Sequence, residues 1–203
     1  MIIDAIGLQD TLKFFQQLPQ VASRAAVLSI NQTTQRTGIQ AARKAMLAEV
    51  AFPAGYLTPP RFDVTKLATE NSLSASIQGR FTPTSLARFS TQRARFIRTG
   101  RRGRGGVTVR VSPGRSTTLN RAFLINLRNG NLGLAIRLKP GETLAHTHGA
   151  KLLTSGPLRG LALLYGPSVD QVFRTVAADI TPDLLAALQT EFLRQFVRLS
   201  GAL

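Results

Sequence analysis

Residues Leu119 to Leu138 read LNRAFLINLRNGNLGLAIRL. Two alternating runs flank Asn129-Gly130, a pair suited to the positive φ angles of a tight type I′ hairpin turn. A two-residue turn there sets Arg128 opposite Asn131, Leu127 opposite Leu132, Ile125 opposite Leu134 and Phe123 opposite Ile136. Directly opposed residues share a face. That register gathers Phe123, Ile125, Leu127, Leu132, Leu134 and Ile136 on one side, and a slip of one residue would break the set. The expectation is a sheet with one apolar face, which needs helices to cover it.

Working outward, Val107, Val109 and Val111 alternate with polar residues and predict a strand that Pro113-Gly114 turns. Leu73, Ala75 and Ile77 alternate with serines and Gln78 in the same way, and Val64 to Leu67 is a further strand or turn candidate. Residues 82–106 are poor in patterned apolar residues and end in Arg101-Arg102-Gly103-Arg104-Gly105-Gly106, so they predict a long basic loop or arm. Residues 139–160 carry Pro140-Gly141 and Gly156-Pro157 and predict an irregular loop.

The flanks predict helices. Leu8, Leu12 and Phe15 make a short amphipathic segment, which Pro19 ends or follows as the first residue of the next helix. From there to about Val50, Val21, Ala25 and Leu28 form one apolar stripe, and Ile39, Ala42, Met46 and Val50 another. Asn31 to Thr34 and Gly38 interrupt them, so a bend is expected there; Arg24, Arg36, Arg43 and Lys44 fall mostly on the solvated side. After the apolar run Leu161–Leu164, Ser168 is a good N-cap for a short helix to about Ala178. Thr181-Pro182-Asp183 predicts a second start, with Leu185, Leu188, Phe192, Phe196 and Leu199 on the buried face of the last helix. The whole reads as an α+β domain over 1–203, its antiparallel sheet packed against a long N-terminal and a C-terminal helix.

With 203 residues, 43% of them hydrophobic, the chain can bury a sizeable core. There is no cysteine, which excludes disulfides, thiolate zinc sites and cysteine catalysis. Asp4 and Asp10 without a basic n-region argue against a signal peptide, and no apolar run approaches a membrane span of about 18 residues. The formal net charge is +16, and between Asn71 and Gly141 there is no acid at all. Such a surplus points to a polyanion or an acidic protein surface as partner.

Signs of catalysis are poor. His146 and His148 offer a metal two ligands, with Glu142 the nearest acid, and no acidic pair lies close in sequence. Arg101 to Gly106 lacks the Gly-Lys-Ser/Thr ending of a phosphate loop. No enzyme, metal or cofactor is therefore expected. The candidate contact residues are those of the basic arm: Arg88, Phe89, Arg93, Arg95, Phe96, Arg98, Arg101, Arg102 and Arg104. Arginines bind phosphate bidentately, and Phe89 and Phe96 could stack on bases. Equally, the arm could dock on an acidic neighbour with both phenylalanines as anchors; both readings stay open. Tyr165, Gly166, Pro167 and Ser168 form a second candidate contact turn, or simply the cap of the following helix.

Several stretches, in order, resemble the minor tail protein Z family of tailed bacteriophages and prophages. They are Pro83 to Phe89, Arg121 to Leu124, Leu127 to Ala135, Leu164 to Phe173 and Glu191 to Arg194, with a long N-terminal helix rich in Ala and Arg. The resemblance does not extend to Lys139–Gly160. It implies a virion protein that completes the head-proximal end of the tail, takes part in head-tail joining and helps position the genome end. By analogy it also implies a homo-oligomeric ring, a hexamer, contacting other tail and neck proteins and DNA in the channel. Assembly would take place in the host cytoplasm, away from membranes.

Overall fold

The computed structural model describes residues 6–91, 106–139, 149–154 and 159–201. It is an α+β fold with two compact units. A helical unit takes the chain up to Ala42, Asp63–Gln78 and the chain from Ala177 onward; a sheet unit takes Arg43–Phe62 and Gly79–Val176.

The first helix, α1 (Ile6–Gln32), runs unbroken through Pro19, so the break expected there is absent. Proline in a helix interior costs about 3 kcal/mol; Gln16 to Leu18 and Gln20 to Ala22 on either side are competent helix formers and the helix carries across. A π-helical segment, Thr33–Gly38, follows, and then α2 (Ile39–Glu49). This is where the interrupted stripe predicts a bend, and the spacing of buried positions explains the irregularity. Ala25, Ser29 and Thr33 are buried at intervals of four, and so are Gly38, Ala42 and Met46. Between Thr33 and Gly38 the interval is five, the span of a π-helical hydrogen bond. Within the helical unit a Cβ on Gly38 would lie 3.1 Å from Ile77 Cδ1, so the small residue allows close approach.

A two-stranded ribbon joins β1 (Phe62–Lys66) to β2 (Ser76–Gly79). The strand expected from Leu73 begins only at Ser76. Leu73 is exposed, and the Lys66 ammonium donates to Ser72 Oγ (3.0 Å) and Ser74 Oγ (3.1 Å).

The segment expected to open a loop is instead built into the sheet unit. It starts with β3 (Thr84–Ser85) and a 3-10 turn, Leu86–Phe89, capped by Ser85 Oγ. Next, β4 (Val107–Val109) pairs antiparallel with β5 (Thr117–Leu119). The hairpin strands β6 (Ala122–Asn126) and β7 (Leu132–Arg137) are antiparallel, but one residue off the expected register. Phe123 faces Ala135, Leu124 faces Leu134 and Ile125 faces Gly133.

The turn explains the shift. Gly130 has φ 75° and no non-glycine residue among the described residues has positive φ, so Asn129 cannot take its place in a type I′ turn. Instead Gly130 N–H donates to Leu127 O (2.9 Å), Leu127 N–H donates to Asn131 O (2.9 Å), and Asn129 Oδ1 accepts from Asn131 N–H (3.1 Å). That is a three-residue loop closed by a left-handed glycine. The six apolar residues expected on one face are thus divided between two. Phe123, Ile125 and Leu127 pack with Ala135, Leu161 and Leu163. Leu134, fully buried, points the other way, and Leu132 on its side is 37% exposed. Gly133 lies beneath the first cluster, where a Cβ would come within 3.1 Å of Leu163 and 3.3 Å of Leu127.

The last two strands are β8 (Ala150–Leu152), inside the expected 139–160 loop, and β9 (Leu161–Gly166). β9 is the hub: β7 pairs along one edge and β8 along the other, while β3 pairs with its end at Tyr165 and Gly166, all antiparallel. A strand flanked on both edges and covered on both faces suits the unbroken apolar run Leu161–Leu164.

Helix α3 (Val169–Ser200) closes the chain. Its N-cap is as expected, Ser168 Oγ accepting from Gln171 N–H at 3.0 Å. The second start at Thr181-Pro182 does not occur: the Thr181 hydroxyl donates back to Ala177 O (2.7 Å) and the helix continues through Pro182. With no restart the inward face shifts by one residue. Leu184 is half-buried and Leu185 is 60% exposed, while Leu188, Phe192, Phe196 and Leu199 are half-buried as expected.

Candidate functional site

The base of the basic segment brings together residues that lie far apart in sequence. Tyr56, in the Pro53–Pro60 loop, is 3% exposed and stacks on Phe52 with centroids 5.5 Å apart. Phe89, also 3% exposed, packs on Phe52 at 5.8 Å. Phe89 is therefore a core anchor within its own unit, and a base could not stack on it as placed.

Three guanidiniums gather on the Tyr56 ring, with Cζ 4.8 Å (Arg61), 5.4 Å (Arg88) and 5.9 Å (Arg80) from its centroid. Arg80 Nη2 donates to the Tyr56 hydroxyl at 2.7 Å, and that hydroxyl donates to Thr84 Oγ1 at 3.3 Å. A buried phenol needs such partners, and here both its donor and an acceptor lone pair are used. The backbone fixes Arg61 and Arg80 side by side, since Arg80 N–H donates to Arg61 O at 2.8 Å. Asp170 N–H, at the start of α3, donates to Arg80 O at 3.3 Å. Gly79 permits that approach, because a Cβ there would lie 2.6 Å from Asp170 N.

Each cation–π contact contributes roughly 0.5–2 kcal/mol, depending on desolvation. Three on one ring also set like charges against each other. Among the described residues the ion pairs are Arg174–Asp170 and Arg194–Glu191, and no carboxylate pairs with Arg61, Arg80 or Arg88. Arg80 Nε is buried without a hydrogen-bond partner among these residues. Arg80 and Arg61 are half-buried; Arg88 is exposed.

The second candidate set meets the first. Thr84 pairs with Gly166 and Ser85 with Tyr165, while Thr84 N–H donates to Pro167 O. A Cβ on Gly166 would come within 3.2 Å of both Phe89 and Leu86. Tyr165 to Pro167 thus hold the base of the basic segment, and Ser168 caps α3. Arg93, Arg95, Phe96, Arg98, Arg101, Arg102 and Arg104 lie outside the described residues, as do His146 and His148.

Tyr56 and Arg61 were not among the residues singled out from sequence. Their loop carries no periodicity, and the cluster joins three separate segments. The available signal was an aromatic in a Pro/Gly-rich loop beside an arginine. No protein-family model matches the chain, and neither a curated protein nor a solved structure shows a significant match.

Proposed function

We propose that this chain is a structural virion protein of a tailed phage, acting at the head-proximal end of the tail in completion and head-tail joining, as a homo-oligomeric ring. The observation that carries the reading is how the basic segment is mounted. Its base is stitched into the sheet by β3, locked by buried Phe89 and covered by Tyr165 to Pro167. A rigid body that holds the start of a strongly cationic segment suits a protein whose work is gripping neighbours. No catalytic role is assigned to any residue.

Imaging the intact particle tests this. Density for the chain in several copies around the axis at the tail-head junction is expected; density elsewhere, or none, overturns the reading. Replacing Arg101, Arg102 and Arg104 together with alanine should leave the fold intact and stop ring formation or tail joining. Full infectivity of that variant would count against the proposal.

One observation favours a second reading, in which the protein binds nucleic acid through residues 88–104. The cationic cluster at Tyr56 lacks an acidic partner among the described residues. Binding would then fall steeply with salt, log K dropping by about 0.9 per phosphate contact on duplex DNA.

A further inference from the structure

We propose that Arg61, Arg80 and Arg88, gathered on Tyr56, form a binding site for a phosphate group. The inference is independent of the tail assignment and rests on the local geometry alone.

Three features carry it. First, all three guanidiniums lie within 5.9 Å of one ring centroid, and no carboxylate among the described residues pairs with any of them. The ring quadrupole offsets part of their repulsion, and an anion shared among them removes the rest. Second, the site is organised before any ligand arrives. The Arg80 guanidinium is held by the Tyr56 hydroxyl and its backbone by Arg61 O and Asp170 N–H, while Phe52 stacks on the Tyr56 ring. The Arg80 side chain therefore has little freedom left to lose on binding, which favours affinity. Third, Arg80 Nε is buried and unpartnered, and Arg88 is exposed, so the cluster combines an unsatisfied donor with a guanidinium open to solvent.

The choice of phosphate follows from the number of forks. A carboxylate offers two oxygens in a plane and is satisfied by one bidentate arginine. Three guanidiniums from three chain segments suit an anion with more acceptor oxygens and a higher charge. The same chemistry is available from free phosphate or from a phosphodiester backbone.

The experiment uses the full chain, inorganic phosphate and a short labelled oligonucleotide. Calorimetric titration with phosphate, against chloride at equal ionic strength, should show binding. R88A and R61A should each weaken it by about tenfold or more, and R115A, an exposed arginine of the same unit, should not. R61K keeps the charge without the fork and should recover binding only in part; the thermal melt of each variant reports whether it folds. If oligonucleotide anisotropy follows the same order of variants, the source is the backbone. If phosphate binding follows that order and oligonucleotide binding does not, the source is free phosphate. Phosphate binding no better than chloride, or equal in all variants, overturns the proposal. So does polyglutamate displacing phosphate as readily as the oligonucleotide does, which would assign the cluster to an acidic protein.

Discussion

The sheet unit and the helical unit are held together by different chemistry. In the sheet unit the large, fully buried side chains are mostly apolar, Phe62, Met46, Leu134 and Val169 beside the polar Thr84, and aromatic pairs such as Phe62–Phe173 (5.2 Å) add to the packing. In the helical unit the buried positions among the described residues are mostly small or polar, Ala25, Ser29, Thr33, Gly38, Ala42, Ala68 and Gln195, with Ile39 the large apolar one. Hydrogen bonds take up the difference there. Ser29 Oγ donates to Ala25 O at 2.7 Å, and Asn31 closes both backbone groups of Ala68, at 3.0 and 2.7 Å. The contrast teaches that one unit draws on apolar area removed from water, and the other on close approach and on polar groups kept satisfied.

The largest test of that contrast is Leu134→Ala in the sheet unit. Leu134 is fully buried, so a loss of roughly 2–5 kcal/mol is expected in chemical denaturation. A cost below about 1 kcal/mol would remove the distinction. Next comes Asn31→Ala in the helical unit, which orphans the Ala68 N–H and C=O and should cost roughly 1–3 kcal/mol. Asn31→Leu, of similar size and no polar atom, should do no better if hydrogen bonding is what matters.

A smaller effect is expected from pH. The Arg194 guanidinium, bonded to Glu191 at 2.7 and 2.9 Å, holds that carboxyl below its ordinary value, assisted by Gln195 and by the charges of Arg194 and Arg36, and opposed by burial. A depressed folded-state pKa means stability that is fully present above the ordinary glutamate range and is lost as pH falls through the depressed value. Glu191→Gln should therefore flatten the acid limb of the stability profile and leave the neutral region less stable. Smallest of all is Val197→Lys. Val197 is 67% exposed, and a change within about 0.5 kcal/mol is expected in the thermal melt.

The two units also differed in how legible they were. The hairpin was visible in its alternation, yet its register was not, because Asn-Gly serves a type I′ turn and a glycine-closed three-residue loop equally well. The choice rests on the backbone angle of Asn129, which no pattern reports. In the sequence β9 shows only as a bare apolar run, since a strand buried on both faces has no alternation. In the helical unit the interruption at Asn31–Gly38 was legible and its π character was not. Pro19 and Pro182 suggested ends that the flanking helix formers override, and the second error carried Leu185 inward in place of Leu184. As for the site, Arg88 was found from charge density, and Phe89 was identified as a contact but not as a core anchor. Tyr56, Arg61 and Arg80 do not stand out as a group because tertiary contact, not spacing, unites them.

Strand β9 also dictates when the molecule can be finished. Its partners β3, β7 and β8 all precede it in the chain. While the polypeptide emerges from the ribosome, α1 can wind from local bonds, but the Thr84–Gly166 pairing must wait for nearly the whole sheet unit to be made. Such long-separation contacts are slow to close. The cationic stretch is thus synthesised well before its mooring exists, and it would spend that interval untethered among the anions of the cell.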